Sequence, residues 1–218
     1  MLINLFMAED KKLALVALLL SIPTVLIALT FHEVAHGYIA YKLGDPTAKS
    51  LGRLTLNPLK HIDPFGALAM LVVGFGWANP VPINTRYFKN PRKGMALSAL
   101  AGPVTNILLG LFGAICYALI IKFNLILSTA GYVAALFFLY FLILNINLAV
   151  FNLIPVPPFD GSRILFAFLP DRMYFGIMKY ERIIMMVVLI GFATGVLDIS
   201  WLTDYIIDGI LRLVALIL

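Results

Sequence analysis

Long apolar runs recur along this chain, and they restrict its fold more than any other feature. Residues 13–43, 96–121, 131–153 and 183–199 approach or exceed the roughly 20 residues needed to cross a bilayer, and 201–218 form a further apolar segment. Composition agrees: 62% of the 218 residues are hydrophobic and 12% charged. Soluble domains are about half apolar and about a quarter charged. The expected fold is an all-α polytopic membrane protein: a bundle of about five to six transmembrane helices, a re-entrant segment and a short membrane-associated β element. The length suits one domain, 1–218, and leaves no room for a folded soluble appendage. The only cysteine, Cys116, lies in an apolar run, which excludes an internal disulfide and a cysteine-built metal site. Glu9 and Asp10 precede the first apolar run and no small-residue cleavage site follows it, so the run is expected to stay in the mature protein.

The stretch 13–43 is broken by Pro23 and stops at Gly44-Asp45-Pro46. As one helix its 31 or so residues would reach roughly 46 Å, beyond the hydrocarbon core. Either the helix kinks at Pro23 and protrudes, or residues 2–21 are a separate element and the span runs from Pro23 to Leu43. Proline in a first helical turn and Gly44 as a stop favour the second reading. Around Gly52-Arg53-Leu54-Thr55-Leu56-Asn57 the alternation of Leu and Thr predicts a short strand. Phe65 to Trp77 is too short to span and reads as re-entrant or interfacial. The prolines of Asn79-Pro80-Val81-Pro82-Ile83-Asn84 keep that segment extended.

The net charge of +5 could point to nucleic acid, but topology accounts for it. If both ends of 45–93 lie on one side, that side holds Lys42, Lys49, Arg53, Lys60, Arg86, Lys89, Arg92 and Lys93. The loop after 131–153 adds Arg163, Arg172, Lys179 and Arg182. Only Lys11, Lys12, Lys122 and Arg212 are left over, an asymmetry that marks the basic face as cytoplasmic. The bilayer is the expected partner, and no nucleic acid is needed.

Ionisable side chains inside spans are costly and mark function. Thr30-Phe31-His32-Glu33-Val34-Ala35-His36-Gly37 contains the pattern H-E-x-x-H. Histidines at i and i+4 share one helix face, so both imidazoles can bind the same metal. The glutamate, offset by about 100°, can reach the open coordination position of a catalytic zinc and serve as base. A chance match in a chain with three histidines is expected in well under roughly one chain in a hundred. With a helix end near Leu43 the motif lies about 11–17 Å inside the cytoplasmic boundary. Hydrolysis at that depth requires a water-accessible cavity.

Two histidines leave a catalytic zinc one protein ligand short. The candidates are His61, Asp63, Asp160 and Asp198. Asp160 ends a long apolar span in Asn152-Leu153-Ile154-Pro155-Val156-Pro157-Pro158-Phe159-Asp160-Gly161, where the prolines break the helix. Broken backbone at membrane depth is tolerated only where it is buried or lines a cavity. Local sequence fits equally an aspartate that merely caps the next helix.

At this point the chain resembles the site-2 protease family of intramembrane zinc metalloproteases. The match rests on His32-Glu33-x-x-His36 and Asn152-x-x-Pro155-x-Pro157-x-x-Asp160-Gly161. Ala101-Gly102-Pro103-x-x-Asn106 and Asn57-Pro58-x-x-His61-x-Asp63-Pro64-x-Gly66 also fit. The resemblance covers about residues 22–182, the expected catalytic core. Many relatives carry leucine where Phe159 stands, an apolar exchange of little consequence. The resemblance implies His32, His36 and Asp160 as ligands of one Zn2+ per chain, with Glu33 as catalytic base. It implies that Asn152, and with it Asn106, holds substrate or the developing oxyanion; a buried hydrogen bond within the bundle is the alternative for Asn152. Gly102, Asn106, Gly110 and Gly113 are small residues suited to close helix packing. His61 reads as a loop or interface residue.

The function implied is a zinc-dependent endopeptidase that cleaves transmembrane segments of membrane proteins near the cytoplasmic side, in a prokaryotic plasma membrane. The alternatives are a metal transporter, which needs further binding stations along a path, and a non-catalytic helix-binding relative, in which the motif glutamate is usually lost. A serine protease would need a nucleophile pattern such as G-x-S-x-G, which the sequence lacks.

Overall fold

A computed structural model of the chain describes residues 11–66 and 78–218. Its helices are α1 (Lys11–Lys42), α2 (Thr47–Ser50), α3 (Pro91–Lys122), α4 (Thr129–Leu153), α5 (Asp160–Phe166), α6 (Asp171–Met178), α7 (Glu181–Ala193) and α8 (Ser200–Ile217). Short 3-10 turns stand at Pro58–Lys60, Thr85–Tyr87 and Leu125–Leu127. Among the described residues, α1, α3 and α4 are long and apolar enough to cross a bilayer. With apolar runs this long and helical, the chain is an integral membrane protein.

Local chemistry sets the helix ends. Asn90 caps α3 by accepting from the Lys93 amide at 3.1 Å, with Pro91 in the first turn. There a missing N–H costs nothing. Asn124, in the left-handed conformation (φ 54°), turns the chain back after α3. Ser128 then caps α4 by accepting from Gly131 at 3.1 Å. The short connection makes α3 and α4 antiparallel neighbours, and they form the most extensive helix pair. Their axes approach closely at Gly110 and Gly113. A Cβ at Gly110 would meet Ile146 at 2.9 Å, and one at Gly113 would meet the Leu142 and Phe138 backbone at 3.1 Å. Close approach at small residues is what the sequence predicted there. Ala114, Leu142 and Ile146 form the packed centre, joined by Ile207 and Val214 of α8. Helix α1 crosses α3 and α4, and α5 folds back onto α3.

Several expectations are corrected. Three helices, rather than five to six, meet the length and hydropathy needed for a span among the described residues. The span expected at 183–199 is the 13-residue helix α7. It stops because Gly195 adopts φ 74° and the Asp198 carboxylate accepts from the Ser200 amide, starting α8. Residues 201–217 lie within α8, whose polar side carries Asp204, Asp208 and Arg212. Helix α1 runs unbroken from Lys11 through Pro23 rather than starting there. The Ser21 and Thr24 hydroxyls bond the Leu18 and Leu20 carbonyls at 2.7 and 2.8 Å.

The strand expected at 52–57 does not form. Gly52 takes φ 65°, and Asn57 caps the 3-10 turn at Pro58–Lys60, so both ends are committed to turns. The β pairing among the described residues is one isolated antiparallel bridge, Ile62–Ala78. The re-entrant segment expected at 65–77 lies almost wholly outside the described residues.

The extended segment 79–84 is helix-free and tied down at both ends. The Asn79 carbonyl accepts from Arg53 at 2.7 Å, and the Asn84 amide donates to Asp45 Oδ2 at 2.6 Å. Asp45 is fully buried, and its other oxygen accepts from the Thr47 amide and hydroxyl. Asp45→Ala would leave two amides without their acceptor, at a cost of about 1–3 kcal/mol each. A markedly lowered Tm in detergent is the expected result, with Asp45→Asn less affected because it keeps an acceptor.

Candidate metal centre

The His32 and His36 side chains leave α1 one turn apart and meet Asp160 at the start of α5. His32 Nε2 lies 3.2 Å and His36 Nε2 3.1 Å from Asp160 Oδ2, and the two Nε2 atoms are 3.0 Å apart. All three residues are buried. Ligand atoms around a tetrahedral zinc, at about 2.0–2.2 Å from the ion, stand about 3.3–3.5 Å apart. The observed triangle is within a few tenths of an ångström of that, and two imidazole nitrogens with one carboxylate oxygen are a zinc donor set. The residues therefore fit the ion.

Helix α3 holds both imidazoles from behind. His36 Nδ1 donates to the Ser98 carbonyl at 2.7 Å. A carbonyl only accepts, so this bond leaves the Nε2 lone pair facing Asp160. His32 Nδ1 meets Asn106 Oδ1 at 2.5 Å. Between these two anchors lies Gly102, where a Cβ would stand 2.5 Å from His32 Cε1 and from His36 Nε2. Only a residue without a side chain leaves room for both rings.

Glu33 projects from α1 beside the histidines, and its Oε2 accepts from the Val81 amide at 2.8 Å. The extended segment is thus fastened directly to the glutamate. A cavity of about 660 Å³ opens alongside, lined by Val81, Pro82, Met95, Pro158, Ser162 and Phe166 among others. Its lining takes in Val81, whose amide bonds Glu33, and Pro158 and Ser162, each two residues from Asp160 in the chain.

The chain is similar to known proteins along much of its length. The model of Peptidase family M50 matches residues 125–197. Putative zinc metalloprotease YwhC of Bacillus subtilis is 43% identical over 172 residues, covering 78% of each chain. The chain belongs to peptidase family M50. Putative zinc metalloprotease MJ0611 of Methanocaldococcus jannaschii is 30% identical over 162 residues, 73% of this chain and 76% of its own. Putative zinc metalloprotease Rip2 of Mycolicibacterium smegmatis is 31% identical over 147 residues, 62% of this chain and 52% of its own. No solved structure matches.

In this M50 member His61, Asp63 and Asp198 stand apart from the triangle. His61 is buried and its Nε2 donates to the Thr55 carbonyl at 2.8 Å. Asp63 accepts from the Gly66 amide, and Asp198 is engaged with Ser200. Of the four candidates for third ligand, Asp160 is the one that meets the histidines among the described residues. Asn152 Nδ2 donates to the Leu148 carbonyl at 2.9 Å, the bond within the bundle that stood as its alternative. Asn106 is fully buried against His32. Sequence reasoning passed over Ser98, Asp45 and Asn145. The signal for Asn145 was available: it is an amide in the middle of an apolar span.

Proposed function

We propose that the chain is a zinc-dependent endopeptidase that cuts transmembrane segments near their cytoplasmic ends. The observation that carries this is the convergence of His32 Nε2, His36 Nε2 and Asp160 Oδ2 beside Glu33, deep in a bundle of apolar helices. His36 lies six residues before the end of α1, about 9 Å along the axis. The basic residues gathered towards that end support a cytoplasmic side for it under the positive-inside rule.

His32, His36 and Asp160 would hold the ion and leave its fourth position open. Zinc bound there supplies Lewis-acid polarisation of a carbonyl and lowers the pKa of bound water to about 7. The Val81 amide engages Glu33 Oε2, so Oε1 is the oxygen left to receive a proton from the attacking water. Glu33 then returns that proton to the departing amine, the ordinary service of a carboxylate base. Asn106 is placed to hold His32, and Asn152 is bonded to its own helix, so substrate contacts are assigned elsewhere. An intact helix hides its carbonyls, and unwound backbone in a bilayer needs new partners. The cavity beside 79–84 gives an unwound segment space, and the extended backbone gives it an edge for strand addition. A transported ion would need several stations, and the described residues contain one such cluster.

The test uses the full chain purified in detergent and returned to bilayers with a model single-span substrate. Wild type is expected to carry one zinc and to cleave. Asp160→Ala should lose zinc affinity by more than the roughly 10–100-fold typical of outer-shell changes, and cleavage with it. Full zinc occupancy and cleavage in Asp160→Ala would remove Asp160 from the centre and sink the proposal.

A further inference from the structure

We infer that Asn145, in the middle of α4, is a positioning residue that sets the tautomer of His32 through Asn106. The inference rests on the reading of His32 as a ligand but reaches beyond it, to a residue on a third helix that touches neither the triangle nor the cavity.

The argument follows hydrogen-bond polarity along a buried chain of amides. Asn145 Nδ2 donates to the Phe141 carbonyl at 2.8 Å. A backbone carbonyl can only accept, so the NH2 end of Asn145 must face Phe141 and its Oδ1 must face away. That oxygen meets Asn106 at 2.8 Å, which obliges Asn106 to present its own NH2 group. The same NH2 makes a longer contact, 3.4 Å, with the Ala28 carbonyl. Asn106 Oδ1 is therefore the atom turned towards His32 Nδ1 at 2.5 Å. An oxygen there accepts, so the proton of neutral His32 resides on Nδ1 and the lone pair on Nε2. Nε2 is the nitrogen pointing at His36 and Asp160. Asn106 and Asn145 are both fully buried. The polarity of the whole chain is thus fixed at Phe141, three hydrogen bonds away from the His32 ring.

Removing the acceptor on Asn145 breaks the chain at its origin. In Asn145→Leu the Asn106 amide keeps only the long Ala28 contact and can turn over, presenting NH2 to His32. His32 Nδ1 would then accept, its proton would move to Nε2, and the metal-facing lone pair would be lost. Asn145→Asp provides the rescue. A buried neutral carboxyl offers one O–H to Phe141 and one oxygen to Asn106, the same pattern as the native amide.

The test is zinc affinity of the full chain in competition with a chelator. Asn145→Leu is expected to bind zinc about tenfold more weakly than wild type, at the lower end of outer-shell effects, and Asn145→Asp to recover the wild-type affinity. Ile146→Ala, which loosens the same level of α4 without touching the amides, should leave the affinity unchanged. Unchanged affinity in Asn145→Leu, or an equal loss in Asn145→Leu and Asn145→Asp, would overturn the inference. A wild-type chain that binds no zinc would instead sink the reading of the centre itself, so the two failures are told apart.

Discussion

Glu33→Gln is expected to reduce kcat/KM about 10²–10⁴-fold while leaving zinc affinity unchanged. That range is what a positioned general base contributes. The exchange is close to isosteric, and the glutamine carbonyl oxygen can still accept from the Val81 amide as Glu33 Oε2 does at 2.8 Å. The tie between α1 and the extended segment should therefore survive, and with it the shape of the neighbouring cavity. What is lost is the ability to take a proton, since a neutral amide is no base at any working pH. The ion's own ligands, His32, His36 and Asp160, are not altered. Three measurements read the result: zinc per chain, Tm, and cleavage of a bilayer-embedded substrate. Retained zinc and Tm with cleavage lost assigns Glu33 to proton transfer. Loss of zinc would make Glu33 a ligand, and unchanged cleavage would remove it from the reaction altogether.

The sequence displayed the metal centre more clearly than the fold around it, and the reason is physical. His32, Glu33 and His36 are local: their relation depends only on helix periodicity, which holds wherever the helix sits. Asp160 was one of four candidates until the family resemblance singled it out, because its meeting with α1 depends on how α5 folds back. The span count failed at 183–199 because hydropathy does not register Gly195, whose left-handed conformation ends α7. Pro23 misled in the opposite direction: it reads as a helix start, but α1 runs through it from Lys11. The 52–57 strand was read from alternation alone, whereas Gly52 and Asn57 had already committed both ends to turns. Hardest to see were the roles of backbone atoms. No side-chain pattern announces that the Ser98 carbonyl will hold His36 or that the Val81 amide will hold Glu33.

Ser98, Gly102 and Asn106 are spaced four residues apart on α3, so they share one face, as His32 and His36 do on α1. The middle position makes the second large prediction. Gly102→Ala should weaken zinc binding about 10–100-fold, the range for disturbing the shell around a metal. The added methyl would stand 2.5 Å from His32 Cε1 and His36 Nε2 and 2.6 Å from His36 Cε1. Neither ring can swing aside without breaking its Nδ1 bond, to Asn106 in one case and Ser98 in the other. Moving α3 away breaks both at once. Overpacking of this kind costs about 1–3 kcal/mol in stability, so a lowered Tm alone would not distinguish a metal effect from a packing effect. Gly110→Ala supplies the contrast, on the same helix two turns further along. Its methyl would meet the end of the Ile146 side chain at 2.9 Å, a group that can change rotamer. Gly110→Ala is therefore expected to lose some stability and keep its zinc affinity, whereas Gly102→Ala loses both. Equal zinc affinity in the two variants would mean that the imidazoles are not held against α3 as the distances require.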